Sequence, residues 1–165
     1  MKPKVLIIMG SDSDLPIMEE TARVLREFTV PYTMTVASAH RTPGRTLKLV
    51  KDAEKNGVDV IIGAAGMAAH LPGVIASHTV LPVIGVPLDS SPLKGMDALL
   101  SIVQMPPGIP VATVAIGKPG ARNAAILAVQ IIARKDPGLT EKLQDHRREM
   151  AKEVEEKAGK IVKKK

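Results

Sequence analysis

The segment KVLIIMGSDSDLPIMEETARVLREF, residues 4–28, indicates how this chain folds. It opens with a short apolar run of the length of a buried β-strand. Polar residues follow Gly10, and apolar side chains then recur at the spacing of one helix face. These side chains are Ile17, Met18, Ala22, Leu25 and Phe28. The segment is therefore predicted to be a strand followed by a helix.

The rest of the chain repeats this pattern. Further strands are predicted at 32–37, 58–66, 81–87 and 110–117. Helices are predicted at 44–57, 71–79, 96–104, 121–136 and 138–165. Strands that alternate with helices predict parallel pairing through right-handed crossovers. We expect a single α/β domain over 1–165, a three-layer α/β/α sandwich with a central parallel, flavodoxin-like sheet, followed by a C-terminal helix over 138–165.

Composition excludes several classes of protein. The 165 residues include no cysteine, which rules out disulfides, a thiolate nucleophile and sulfur-ligated metals. The net charge is +6, but residues 134–165 hold eleven Lys and Arg against seven Asp and Glu, or +4 of that excess. With only two aromatic residues, Phe28 and Tyr32, no stacking surface for nucleic acid is expected. The start of the chain resembles neither a signal peptide nor a membrane span, so a cytoplasmic protein is expected.

The residues after the first three strands are the candidates for a ligand site. In open parallel sheets, ligands bind beyond the carboxyl ends of the strands. The segments are Gly10–Asp14, Ser38–Arg41 and Gly63–Gly73. The first suits a ribose or phosphate, although it could equally be a helix N-cap. The third allows close backbone approach to a flat ligand, although tight packing of a helix on the sheet would need the same small residues.

Two of the four histidines stand at these strand ends. His40 and His70 each follow a strand closely, where an imidazole can give and take a proton near neutral pH. Arg41 and Ser38 beside His40 can bind a phosphate. The pattern predicts a site for a small phosphorylated substrate. His78 and His146 are predicted on helices, with structural or exposed roles.

The motifs of other ligand classes are missing. The chain has neither GxxxxGK[ST] nor GxGxxG after the first strand, which argues against a nucleoside triphosphate or a dinucleotide. It has no HExxH or paired carboxylates beside the histidines, so no metal site is expected. Asp12 and Asp14 alone do not make the acid pocket of a response regulator. A flavin-binding module would need aromatic side chains, and a purely structural protein would not need His and Arg at the strand ends.

Five motifs in order resemble the class I branch of the N5-carboxyaminoimidazole ribonucleotide mutase family. They are MGSDSD, SAHRTP, AAHLPG, LPVIGVP and SIVQMPPGIPVATVAIG, and the likeness covers about residues 4–134. The resemblance implies an enzyme of purine biosynthesis that moves a carboxylate from the exocyclic nitrogen of an aminoimidazole ribonucleotide to a ring carbon. It implies no metal or other cofactor, and a homo-octamer whose sites are completed by neighbouring chains. It also implies that the C-terminal helix, 138–165, packs on a neighbouring subunit.

The resemblance also implies roles for individual residues. His40 would be the general acid/base, and the other positions would bind substrate through the phosphate, the ribose, the base or the migrating carboxylate. Those positions are Ser11, Ser13, Asp14, Ser38, Arg41, Ala65, Gly66, Met67, His70 and Leu71.

Two details bear on which branch the chain resembles. A related branch carboxylates aminoimidazole ribonucleotide with free carbon dioxide, and this carboxylation is the alternative function. That branch has SAHK where this chain has SAHR, and it lacks AAHLPG. Most mutases have glycine where this chain has Met67. We expect the thioether there either to turn away from the ligand or to narrow the pocket.

Overall fold

Five parallel β-strands form one sheet within residues 4–162, the part of the chain that the computed structural model describes. The strands are β1 (Val5–Met9), β2 (Tyr32–Val36), β3 (Val60–Ala65), β4 (Val83–Pro87) and β5 (Ala112–Thr113). Their order in the sheet is β2-β1-β3-β4-β5. This is the flavodoxin-like strand order, and it confirms the predicted fold class.

Six α-helices connect and follow the strands. They are α1 (Leu15–Glu27), α2 (Pro43–Lys55), α3 (Leu71–Ala76), α4 (Met96–Val103), α5 (Gly117–Ala133) and α6 (Pro137–Val162). A short 3₁₀ helix at Asp12–Asp14 precedes α1. Gly57 follows the end of α2 with a φ of 74°. Glycine adopts this left-handed conformation without strain, and it ends the helix as the sequence predicted.

The sheet separates two hydrophobic cores, and β1 contributes to both. Val5, Ile7 and Met9 face a core shared with α1, α5 and the start of α6. Leu6 and Ile8 face a core shared with α2, α3 and α4. Because successive side chains of a strand point to opposite faces, a central strand buried on both sides is apolar throughout.

The register of the sheet brings the strand ends to one level. Met9 pairs with Val36 of β2 and with Ala64 of β3, and Ala65 pairs with Pro87 of β4. The loops that follow β1, β2, β3 and β4 therefore begin along the same edge of the sheet.

The boundaries of three predicted elements were wrong by as much as three or four residues. The fifth strand pairs with β4 only over Ala112–Thr113, and Pro110, which has no N–H, cannot extend the ladder. Helix α5 begins at Gly117 rather than at residue 121. His78 lies in the turn beyond α3, because that helix ends at Ala76.

Helix α6 packs on its own chain only near its beginning. Leu139 and Leu143 contact the core of α1 and α5, and the ring of His146 meets Phe28 edge-on at 5.5 Å. Every side chain from Arg147 to Ile161 is exposed. The predicted helix 138–165 continues past the described residues, and its contact with a neighbouring subunit stays a prediction. Among the described helices, none is long and apolar enough to cross a membrane.

Two glycine substitutions should test the packing of the sheet. A Cβ at Gly85 would lie 2.5 Å from Ile102 Cγ2 and 2.8 Å from Val111 Cγ1. Gly85→Ala should therefore lower the free energy of unfolding by about 1–3 kcal/mol. At Gly44, in the first turn of α2, a Cβ would meet nothing within 4 Å. Gly44→Ala should therefore raise the free energy of unfolding by about 0.5–1 kcal/mol. Denaturant titration measures both, and a Gly85→Ala protein as stable as wild type would contradict the contact between β4 and α4.

Candidate active site

A cavity of about 520 Å³ opens at the carboxyl ends of β1 to β4. All the residues to which the resemblance assigns a role line this cavity. They come from the loops after β1, β2 and β3, as the sequence predicted. The cavity lies beyond the ends of the neighbouring strands β1 and β3, which form the switch point of this strand order.

The loop after β1 forms a polar turn that begins the following helix. The Ser13 N–H donates a hydrogen bond to Ser11 Oγ over 3.4 Å, and the Ser11 N–H donates one to Asp14 Oδ2 over 3.0 Å. This is a capping box at the 3₁₀ helix. The alternatives of a cap and a ligand site are thus compatible, because the capping residues also line the cavity.

Asp14 is a buried carboxyl group, with a side chain exposed by only 5%. Burial raises its pKa above the ordinary value, and hydrogen bonds from Ser11 and Ser13 oppose that rise only in part. A buried carboxylate costs free energy unless it is hydrogen-bonded. Asp14 lines the cavity, where its carboxyl oxygens can accept hydrogen bonds from the hydroxyls of a ligand.

Arg41, in the loop after β2, extends its side chain toward the end of β1. Its guanidinium Nη2 donates to the carbonyl of Gly10 over 3.1 Å, while its backbone N–H donates to Ser38 Oγ over 3.2 Å. Within residues 4–162, Arg41 forms no ion pair with a carboxylate. The remaining guanidinium donors and the Ser38 hydroxyl hydrogen can therefore bind an anion between the ends of β1 and β2.

The loop after β3 is a tight turn of small residues with one exception. Backbone N–H groups of Ala69 and His70 donate to the carbonyls of Met67 and Ala68. Met67 has a φ of 55°, a conformation that glycine adopts far more easily. Its side chain is 60% exposed and lies at the mouth of the cavity, whereas Leu71 is buried and forms part of the floor.

The two histidines at the strand ends contact each other directly. His40 Nε2 lies 2.7 Å from His70 Nδ1, and the ring planes meet at 84°. At this distance one of the two nitrogens carries the hydrogen and the other accepts it. His70 begins α3 but its side chain makes no capping hydrogen bond, so its ring is available to orient His40.

One residue of the cavity lies outside the predicted segments. Gly10, Ala39 and Ala68 also line it and belong to those segments, although no individual role was assigned to them. Ser90 lines it from the loop after β4, and only the rule that every parallel strand end borders the site could have suggested it. The described residues contain no group of three or more His, Asp or Glu side chains placed to hold a metal ion.

Comparison with known proteins relates the chain to a purine-biosynthetic family. The profile of the family described as AIR carboxylase matches residues 4–153. The chain is 61% identical over 160 residues to the N5-carboxyaminoimidazole ribonucleotide mutase of Pyrococcus horikoshii, covering 97% of this chain and 89% of that protein. It is 54% identical over 159 residues to the mutase of Thermotoga maritima, covering 96% and 92% of the two chains.

A solved structure shares the fold. The crystal structure of Treponema denticola PurE superposes with a TM-score of 0.85 at 29% identity, covering 96% of this chain and 98% of that one.

Arg41→Leu should reduce the affinity for inorganic phosphate and for phosphate-bearing ligands by about 10- to 100-fold, because a charge-assisted hydrogen bond is lost. Arg45→Leu is the matched control. Arg45 is also exposed and bonds to Val36 O and Thr35 Oγ1, but it does not line the cavity. Isothermal titration calorimetry measures both variants. Equal losses of affinity, or none for Arg41→Leu, would contradict the anion site.

Proposed function

The chain belongs to the AIR carboxylase family, and on that basis we propose that it is an N5-carboxyaminoimidazole ribonucleotide mutase of purine biosynthesis. The substrate carries a carboxylate on the exocyclic nitrogen, and the product carries it on a ring carbon. The observation that carries the proposal is the pair His40 and His70, joined at 2.7 Å beside Arg41 in one cavity.

The cavity provides for each part of such a substrate. Arg41, Ser38 and Ser11 can bind the phosphate at the ends of β1 and β2, and Asp14 can accept from the ribose hydroxyls. The base would then lie over the loop after β3, against the side chain of Ala65 and the backbone of Gly66. His40 lines the cavity between Arg41 and the loop after β3, and in this proposal it is the group that gives and takes the proton.

The reaction requires one proton to be given and then taken back. Protonated His40 donates a proton to the exocyclic nitrogen as the N–C bond of the carbamate breaks and carbon dioxide leaves. The ring carbon then attacks carbon dioxide, which forms the C–C bond and leaves a proton on a tetrahedral carbon. Neutral His40 removes that proton, and the aromatic ring is restored. A positioned acid/base of this kind contributes about 100- to 10,000-fold to the rate.

No cofactor enters this proposal, because its steps balance without one. Both half-reactions exchange a carboxyl group and a proton, and neither oxidises nor reduces the substrate. Loss of carbon dioxide from the carbamate and its recapture by the ring carbon are favoured where water is excluded. The small residues Ala65, Gly66 and Ala68 of the lining would exclude water once the base lies against them. His70 is a positioning residue here, since it fixes the ring of His40 through the hydrogen bond between them.

Direct carboxylation by free carbon dioxide is the second candidate, because the description of the family names a carboxylase. Both reactions share the attack of the ring carbon on carbon dioxide. The SAHR and AAHLPG segments of this chain, which distinguish the branches by resemblance, favour the mutase. The relatives named mutases, at 54% and 61% identity, favour it as well.

A homo-oligomer, by resemblance an octamer, belongs to the proposal, as does a cytoplasmic location. Two apolar surfaces support association with further copies. The first surface consists of Leu93, in the loop before α4, and Met96, Leu100 and Val103 on α4, all about half exposed or more. On α6, Met150, Val154 and Ile161 recur at helical spacing and are also exposed. Exposed apolar patches of this kind mark protein interfaces.

His40→Asn should retain phosphate-dependent binding and lower turnover of N5-carboxyaminoimidazole ribonucleotide by about 100-fold or more, because asparagine does not titrate. His78→Asn is the matched control. His78 is exposed, bonds to Ser77 and Val74 O, and lies outside the cavity, so its replacement should leave turnover unchanged. If His40→Asn kept more than about a tenth of wild-type turnover, His40 would not be the acid/base.

Ending the chain at Arg147 should lower the assembly state and preserve the α/β fold. The shortened chain keeps Leu139 and Leu143, which pack on the core, and loses the exposed apolar residues of α6. Val154→Asp should act in the same direction without shortening the chain, since a charge in an apolar interface is unfavourable. Sedimentation velocity measures the assembly state. An unaltered oligomer in both variants would show that this end of α6 has no part in assembly.

A further inference from the structure

Ser90 brings a hydroxyl group from β4 into the cavity. It lies two residues after Leu88, the buried residue that follows β4, and it is the sole contribution of that loop to the cavity lining within the described residues. None of the roles assigned above uses it. Its position at a strand end of a parallel sheet is where ligand contacts are expected.

The hydroxyl of Ser90 has no protein partner in residues 4–162, in contrast to its neighbour. Ser91 Oγ donates to Asp97 Oδ1 over 2.8 Å and accepts from the Leu93 N–H over 3.2 Å. Ser91 thus holds the loop in place, while the donor and acceptor capacity of Ser90 remains available to a ligand.

Gly66 places this hydroxyl against the loop after β3. A Cβ added to Gly66 would lie 2.1 Å from Ser90 Oγ, but 3.4 Å from Ser90 Cβ and 3.6 Å from Leu88 O. Only the hydroxyl oxygen is in the way, and that oxygen can rotate about χ1. A methyl group at position 66 would therefore displace the Ser90 hydroxyl and leave the backbone of both loops unchanged.

The acidic neighbour of Ser90 does not oppose an anion in the cavity. The Asp89 carboxylate lies beside Gly117, where a Cβ would be 3.6 Å from its oxygens. Asp89 does not line the cavity. The loop after β4 therefore presents a neutral hydrogen-bond donor to the ligand.

The order of the strands places Ser90 at the far end of a bound substrate. Arg41 and Ser11 lie at the ends of β2 and β1, and Ser90 lies at the end of β4, with β3 between them. Parallel strands are spaced by about 4.8 Å, so the span from β2 to β4 is about 14 Å. This is comparable with the length of a ribonucleotide monophosphate. A ligand anchored by its phosphate near Arg41 thus extends its base toward Ser90.

We propose that Ser90 is a substrate-binding residue whose hydroxyl donates a hydrogen bond to the migrating carboxylate. The inference rests on the proposed function, since it names the group of that substrate which Ser90 recognises. Gly66 is its positioning residue, because only glycine leaves space for the hydroxyl. The carboxylate is then held at the β4 end of the cavity in substrate and product, while the phosphate is held at the β2 end.

Binding of two ligands that differ only in the carboxylate tests this assignment. Ser90→Ala should weaken binding of carboxyaminoimidazole ribonucleotide, the product, by about 10- to 100-fold, the range for a hydrogen bond to a charged group. The affinity for aminoimidazole ribonucleotide, which lacks the carboxylate, should not change. Ser101→Ala, which removes a hydroxyl bonded to Asp97 O in α4, is the control and should affect neither. Equal loss for both ligands, or no loss, would overturn the proposal.

A double-mutant cycle measured by turnover tests the role of Gly66. Gly66→Ala should reduce kcat/KM about as much as Ser90→Ala does, and the double variant should be no worse than Ser90→Ala alone, because both changes remove one interaction. Additive losses would mean that a methyl group at residue 66 meets the substrate itself, and would contradict the positioning role. Unchanged denaturant midpoints exclude unfolding as the cause.

Wild-type turnover separates this proposal from the one on which it rests. A wild-type enzyme without activity on N5-carboxyaminoimidazole ribonucleotide would refute the mutase function. An active wild type with a fully active Ser90→Ala variant would refute the role of Ser90 alone.

Discussion

The parallel hydrogen-bond ladders on both sides of β1 are the constraint on which the rest of the structure depends. They align Met9 with Val36 on one side and with Ala64 on the other. A slip by one residue would move the side chains of a strand to the wrong core, so burial on both faces fixes the register. That register brings four loops to one edge, and the position of β1 between β2 and β3 opens the cavity between the loops.

The order of the strands determines which side chains meet at this edge of the sheet. His40 leaves β2 and His70 follows β3, and the two strands flank β1. Their rings meet over the end of β1, at 2.7 Å, beside the polar turn that begins at Ser11. Arg41, the pair of His40 and His70, and the hydroxyl of Ser90 then follow one another along the edge from β2 to β4. The layout matches a ligand with an anion at one end and a reacting base at the other.

Most of the fold could be predicted because the signals are local. Apolar runs of strand length, helical spacing and the capping Gly57 identified the strands and helices in order. The predicted ends of strands and helices were wrong where the local apolar pattern extends beyond the residues that pair in the sheet. The apolar run before Gly117 suggests a long fifth strand, but β5 is an edge strand that pairs with β4 over two residues. The apolar faces of α5 are covered within the chain, by the sheet, α1 and α6, so they do not by themselves indicate a partner.

The site could be predicted as a set of residues but not as an arrangement. Each loop after β1, β2 and β3 carries side chains whose chemical role can be inferred from the sequence. The hydrogen bond of His40 to His70 and the approach of Ser90 to Gly66 join residues 30 and 24 positions apart, and they depend on the strand order. Nothing local encodes that order. Ser90 was missed because a lone serine after a strand resembles any turn residue.

The central claim is that the carboxylate migrates within the cavity. It is tested by supplying N5-carboxyaminoimidazole ribonucleotide with an isotopic label in its carbamate, in the presence of unlabelled bicarbonate, and following the label into the product by mass spectrometry. The account predicts that the first product formed retains the label and that it forms equally well without bicarbonate. Product with an unlabelled carboxylate, or product that forms only when bicarbonate is supplied, would contradict it and would identify a carboxylase of free carbon dioxide.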